Sequence, residues 1–134
     1  MIIENCKDPN IGFELYNWLI PVDQPRIEIA NLIKNLLINE PENVFCVTAK
    51  EDDMICGFLF AVILKDEVYI VQAIALYMSK PNVSEEIIEM LKQWTKTKGI
   101  KKIAFGASSP RQQRYYSRNY GFIAVDDSKM VLEI

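Results

Sequence analysis

The sequence predicts an α/β (α+β) fold: a mixed, mostly antiparallel sheet flanked by helices, in the order β-α-α-β-β-β-α-β-α-β, within a single domain at 1–134. Three observations carry this. Apolar, strand-like runs at 44–48, 54–64 and 68–78 are separated by short polar turns, the pattern of an antiparallel meander. Helical spacing flanks that meander on both sides. The run at 100–107 comes after a helix rather than a turn, so it closes a β-α-β unit of the kind that joins parallel strands.

Each element has its own signal. Residues 1–6 form a short apolar start suited to an edge strand, and Asp8-Pro9-Asn10 breaks it. Ile11, Leu15, Trp18 and Leu19 recur at helical steps until Pro21 stops them. Asp23 with Pro25 just inside reads as a second helix start, and Ile29, Leu32, Ile33, Leu36 and Leu37 supply its apolar stripe before Pro41. The meander comes next, with turns at 50–53 and 65–67. Val83, Ile87, Ile88, Leu91 and Trp94 then mark the clearest amphipathic helix, with Asn82 or Ser84 as its cap and Lys96 and Lys98 suiting its C-terminal dipole before Gly99. Ile87, Leu91 and Trp94 are expected buried beneath the sheet. Ser109-Pro110-Arg111-Gln112 opens the last helix with a hydroxyl cap and a proline at the first position. Gly121 closes it in a left-handed conformation. Residues 122–125 and 130–134 are strand material around Asp126-Asp127-Ser128.

Half of the 134 residues are apolar and a quarter are charged, the composition of a chain that buries a core. The 15 basic and 18 acidic residues leave a net charge of −3, which argues against a nucleic-acid binder. The longest clean apolar run is 57–64, far short of the ~20 residues a membrane helix needs, so no membrane partner is expected. No basic segment with an apolar core opens the chain, so no leader is expected. Three cysteines without metal-ligand spacing read as ordinary thiols of a reducing, cytoplasmic compartment. Cys46 and Cys56 are expected to face each other across a hairpin, both inert. Histidine is absent, which removes every histidine-based nucleophile and metal ligand.

The stretch Tyr116-Ser117-Arg118-Asn119-Tyr120-Gly121-Phe122, together with the helix, glycine stop and strand at 94–103, resembles the GNAT superfamily of acyl-CoA-dependent N-acetyltransferases. The motif likeness covers residues 68–122, and the element order extends it to most of the chain. The resemblance implies that strands 68–78 and 100–107 run parallel and splay apart. It implies acetyl-CoA as cosubstrate and an amine acceptor as partner, and a homodimer is compatible with it. The pantetheine arm would pair with backbone at Ile74, Ala75 and Leu76. The diphosphate would sit on Ser79, Lys80, Asn82, Val83 and Ser84, at a helix start whose unpaired amides and dipole suit an anion. A tyrosine of the last helix, Tyr116, would protonate the leaving thiolate.

Departures from the family pattern shape these expectations. The diphosphate loop falls on 79–84 without its two glycines or its leading Arg or Gln. Pro81 removes one amide donor, and Glu85 and Glu86 bring like charge to the phosphate position, so weak binding of CoA is expected. In gap-free register the family's tyrosine falls on Ser117, one position after Tyr116; the alternative role for Tyr116 is packing against the sheet. Tyr115 and Tyr120 are neighbouring phenols. Gln72 lies where some members carry a glutamate base, and Glu67 and Glu85 read as solvated carboxylates. Arg111, Arg114 and Arg118 form one helical stripe, read either as contacts to phosphate or as a solvated face. The rival to a transferase is a non-catalytic binding or structural module of the same fold with a decayed cofactor site.

Overall fold

The computed structural model describes residues 2–19, 24–75, 82–107 and 109–134. The chain runs β1 (Ile2–Asn5), α1 (Ile11–Leu19), α2 (Gln24–Asn39), a single 3-10 turn at Pro41–Asn43, β2 (Val44–Glu51), β3 (Met54–Leu64), β4 (Glu67–Ala75), α3 (Asn82–Thr97), β5 (Lys102–Gly106), α4 (Pro110–Tyr120), β6 (Ile123–Ala124) and β7 (Lys129–Glu133). The strands form one sheet in the order β1-β2-β3-β4-β5-β7-β6. Every pairing is antiparallel except β4 with β5.

Side-chain alternation along β2 and β3 explains the layers. Phe45, Val47, Ala49, Leu59 and Ala61 point to one core, which also takes Val83, Ile87 and Leu91 of α3. Val44, Cys46, Phe58, Phe60 and Val62 point to the other, which takes Ile11 and Leu15 of α1 and Ile33 of α2. Strands covered on both faces read as continuous apolar runs rather than alternating ones, which is why 57–64 is unbroken. Two glycines let the layers close. A Cβ on Gly12 would lie 2.9 Å from the Ala30 Cα, where α1 crosses α2. A Cβ on Gly57 would lie 3.4 Å from Val83 and 3.5 Å from Ile87, where α3 crosses β3.

The turns obey their residues. Asp52 and Asp53 take positive φ (52° and 64°), the two-residue geometry that matches strand twist in a hairpin. Ser109 caps α4 by accepting from the Gln112 N–H, and Gly121 ends it at φ 79°.

The structure corrects several expectations. The β2–β3 turn is confined to 52–53, because β2 continues through Glu51. β4 ends at Ala75, and residues 76–78 of the expected strand lie outside the described residues. Strand β5 is shorter than 100–107 because its ends pair elsewhere: Ala107 N–H donates to the Ser128 carbonyl at 2.7 Å. The final strand material is two strands, and β7 rather than β6 lies beside β5. Trp94 is half-buried, not buried: its ring tilts against Phe45 at 5.6 Å, and the Lys98 ammonium stands 5.7 Å from its centroid. Cys46 faces Phe60 across the hairpin instead of Cys56, because the register centres on 52–53 and shifts after Ala49.

Candidate active site

β4 and β5 pair at only three positions, Val68 with Ile103, Tyr69 with Ala104 and Ile70 with Phe105. Beyond them the strands part for two local reasons. β4 carries a bulge: Phe60 pairs with Gln72 and Ala61 with Ile70, leaving Val71 unmatched. A bulge bends its strand and re-aims the residues beyond it. β5 meanwhile ends at Gly106, and its continuation is drawn toward the Ser128 carbonyl. From Gln72 to Ala75, β4 is held only by β3, through Phe60, Leu59, Phe58 and Gly57. Its other edge has no strand partner among the described residues, so backbone donors and acceptors there face a gap.

That gap opens onto a cavity of about 100 Å³ on the α3 and α4 side. Leu59, Ile70 and Ala73 form its floor, Val83, Ser84 and Ile87 one wall, and Phe105 with Tyr115, Tyr116 and Tyr120 the other. Tyr116 and Tyr120 are four residues apart and so share a face of α4. The Tyr116 ring lies 4.5 Å from Phe105 and 5.8 Å from Tyr120, and Phe105 meets Phe122 edge-on at 5.0 Å. Burial, with a smaller contribution from Tyr115, pushes the Tyr116 phenol above its ordinary pKa. Burial and then the Tyr115 hydroxyl push Tyr120 up to about 12, opposed by a hydrogen bond with Ser84. Both phenols are therefore protonated donors at neutral pH.

Solved structures match the chain over nearly its whole length. A protein from Desulfovibrio desulfuricans assigned to the GNAT family of acetyltransferases matches at TM-score 0.76 and 14% identity over 98% of both chains. The fold is that of the GNAT acetyltransferases. A Streptococcus pneumoniae acetyltransferase of the GNAT family matches at 0.71 and 12% identity over 99% of both chains. The PaiA N-acetyltransferase of Thermoplasma acidophilum, solved with coenzyme A, matches at 0.67 and 14% identity over the whole of both. No protein-family model matches the sequence, and no curated protein matches it significantly.

On this GNAT fold the expected site residues divide. Tyr116, Val83 and Ser84 converge on one cavity. Ile74 and Ala75 occupy the end of β4 beside the gap, and Asn82 opens α3. Leu76, Ser79 and Lys80 lie outside the described residues. Glu85 and Glu86 are exposed in the first turn of α3. Arg114 and Arg118 line a shallow groove with Pro110 and Ala124, not the cavity. They sit two residues from Tyr116, about 200° around the helix, and so form a solvated face. Glu67 is not a solvated carboxylate: its two oxygens accept from the Lys129 ammonium at 3.0 and 3.2 Å, spanning β5 on the face away from α3.

Sequence reasoning missed Phe105, Ile70 and Ala73 as cavity residues, since each reads as ordinary strand filler. Gly57 did carry a signal: an isolated glycine inside an apolar strand marks a close approach. Among the described residues no group of three His, Cys, Asp or Glu could hold a metal ion. No helix among them is long and apolar enough to cross a membrane.

Proposed function

We propose that the chain is an acyl-CoA-dependent N-acyltransferase, an N-acetyltransferase in the first instance, that acts on an amine. The observation that carries this is the unpaired edge of β4 beside a small apolar cavity walled by Tyr116 and Tyr120. Acetyl-CoA, bound there, would supply an activated acyl carbonyl as a thioester. Backbone at Ile74, Ala75 and Leu76 would pair with the pantetheine amides and orient that carbonyl. Ser79, Lys80, Asn82, Val83 and Ser84 would hold the diphosphate at the start of α3.

The acceptor nitrogen attacks the carbonyl carbon, forming a C–N bond, and the C–S bond then breaks. Tyr116 donates its phenolic proton to the departing sulfur, the proton released by the amine passes to water, and water returns one to the Tyr116 oxygen. With no histidine in the chain, a protonated phenol lining the cavity is the suited donor. The coenzyme A held by the Thermoplasma protein supports the choice of cosubstrate.

The sequence of 79–84 favours a second reading. It lacks glycines, contains Pro81 and is followed by the exposed carboxylates of Glu85 and Glu86. A module of this fold that works through protein contacts would tolerate such a loop. Titration calorimetry with acetyl-CoA separates the two. Saturable binding, with acetyl transfer to at least one member of an amine panel, supports the transferase. Absence of any binding heat up to millimolar acetyl-CoA rejects it in favour of the module.

A further inference from the structure

We propose that Cys6 and Cys46 form a redox-active pair, closing reversibly into a cross-strand disulfide that staples the edge strand β1 to β2. The site lies on the α1 and α2 face, away from the β4–β5 cavity, and does not depend on the acyltransferase reading.

Register places the two cysteines together. β1 pairs with β2 through Ile2 with Lys50, Ile3 with Ala49, Glu4 with Thr48 and Asn5 with Val47. The next position sets Cys6 opposite Cys46, and the Cys6 N–H donates to the Cys46 carbonyl at 2.8 Å. Directly opposed, hydrogen-bonded residues of antiparallel strands stand ~5.5 Å apart between Cα atoms. Disulfides span Cα separations of roughly 4.4–6.8 Å, so the pair lies within reach of a link. Both side chains belong to the same core face: Cys46 is buried in it and Cys6 packs against it, half-buried. Their sulfurs share a hydrogen bond.

The two thiols differ in the way an attacking and a resolving cysteine do. The bond from Cys46 lowers Cys6 to about 7, helped by the Asp8 backbone amide and the Lys50 charge against burial and the Asp8 carboxylate. Cys46 is raised, chiefly by the same bond and then by burial. A thiolate is the nucleophile in thiol chemistry, so near neutral pH the half-buried Cys6 reacts and the buried Cys46 waits as a thiol.

The oxidant is hydrogen peroxide. The Cys6 thiolate attacks one peroxide oxygen, the O–O bond breaks and hydroxide leaves, giving a sulfenic acid. The Cys46 sulfur then attacks the Cys6 sulfur. The S–S bond forms, the S–O bond breaks, and the hydroxyl departs with the Cys46 proton as water. Two thiols lose two electrons in all, and one peroxide becomes two waters. The closed loop contains both α1 and α2, so the link restrains the helical layer at both of its ends.

The test uses the reduced full-length chain and hydrogen peroxide. After treatment and quenching, the remaining reduced thiols are labelled with a maleimide in denaturant and counted by mass. The expected result is one labelled thiol, Cys56, in place of three, restored to three by dithiothreitol. An unreduced peptide map should contain the Cys6 peptide joined to the Cys46 peptide, and the oxidised protein should melt several degrees higher. Cys56→Ser should leave the Cys6–Cys46 linkage and the melting shift unchanged while the labelled count falls from two to none, whereas Cys6→Ser should leave Cys46 fully reduced. Three labelled thiols after the methionines have begun to oxidise would overturn the proposal. So would a Cys6 sulfenic acid trapped by dimedone without linkage to Cys46, or a disulfide that joins Cys56 instead.

Discussion

One substitution separates the acid role proposed for Tyr116 from its packing. Its ring contributes to the cluster with Phe105 and Phe122, and the residue lines the cavity. Tyr116→Phe keeps the ring and removes the proton. Turnover should fall by roughly 10²–10⁴ with acetyl-CoA affinity and melting temperature nearly unchanged. Steady-state rates on both proteins check this, and an unimpaired Phe variant moves the acid role to Tyr120 or Tyr115. The same phenols set an alkaline limit on stability. Tyr120 is raised from its ordinary value near 10 to about 12, so folding favours the protonated form. The stability this confers is complete below pH ~10 and is lost as pH rises through about 12. Urea midpoints at a series of alkaline pH values should fall across that window, and Tyr120→Phe should flatten the fall. Trp94 illustrates partial burial. Trp94→Ala should cost roughly 2 kcal/mol, below the ~3–5 of a fully enclosed aromatic, because one side of the ring meets Lys98 and solvent. Chemical denaturation measures the difference.

At the scale of elements, α3 explains both the attraction and the weakness expected of the anion site. Its sequence buries Val83, Ile87 and Leu91 against the sheet, and Gly57 allows its first turn to approach β3 closely. This aims its N-terminus at the gap beside β4. The dipole there favours an anion by roughly 0.3–1 kcal/mol, and carboxylates in the same turn oppose it by similar amounts. Glu85 and Glu86 are both exposed in that turn. Replacing both by Gln should therefore tighten acetyl-CoA about 2–10-fold, with a smaller gain at high salt. Calorimetry on the double variant decides it; unchanged or weaker binding removes the electrostatic account. α4 makes its contribution by periodicity: Tyr116 and Tyr120 face the cavity while Arg114 and Arg118 face the groove with Ala124.

For the molecule as a whole, the gap is a local failure of an otherwise continuous sheet. Among the described residues seven strands pair side by side, and the β4–β5 seam stops after three positions. A ligand that fills this seam should couple to global stability, since it completes contacts the fold leaves open. Acetyl-CoA at 100 times its dissociation constant adds roughly 2.7 kcal/mol. For a chain of this size that corresponds to a rise in melting temperature of roughly 8–10 °C. Differential scanning fluorimetry across a concentration series measures it, and a flat series argues for the non-catalytic module.

Local patterns were sufficient for the elements. Helical spacing at 83–94, the Ser109-Pro110 start and Gly121 each depend on neighbours within a turn, and each stands where the sequence places it, while the meander strands β2 and β4 differ from the expected bounds by one to three residues at their described ends. The parallel seam was legible only through the family resemblance, since β1 and β2 also have helices between them yet pair antiparallel. What the sequence could not determine depends on residues far apart in the chain. The bulge at Val71 arises from pairing with β3, and the half-exposure of Trp94 depends on Phe45 of β2 covering one side of its ring. The Glu67–Lys129 pair joins positions 62 residues apart, and the Cys6–Cys46 pair joins an edge strand to the first strand of the meander. Register across strands sets each of these contacts. A shift of one residue would turn the same side chains to the opposite face, so only the assembled sheet decides which groups meet.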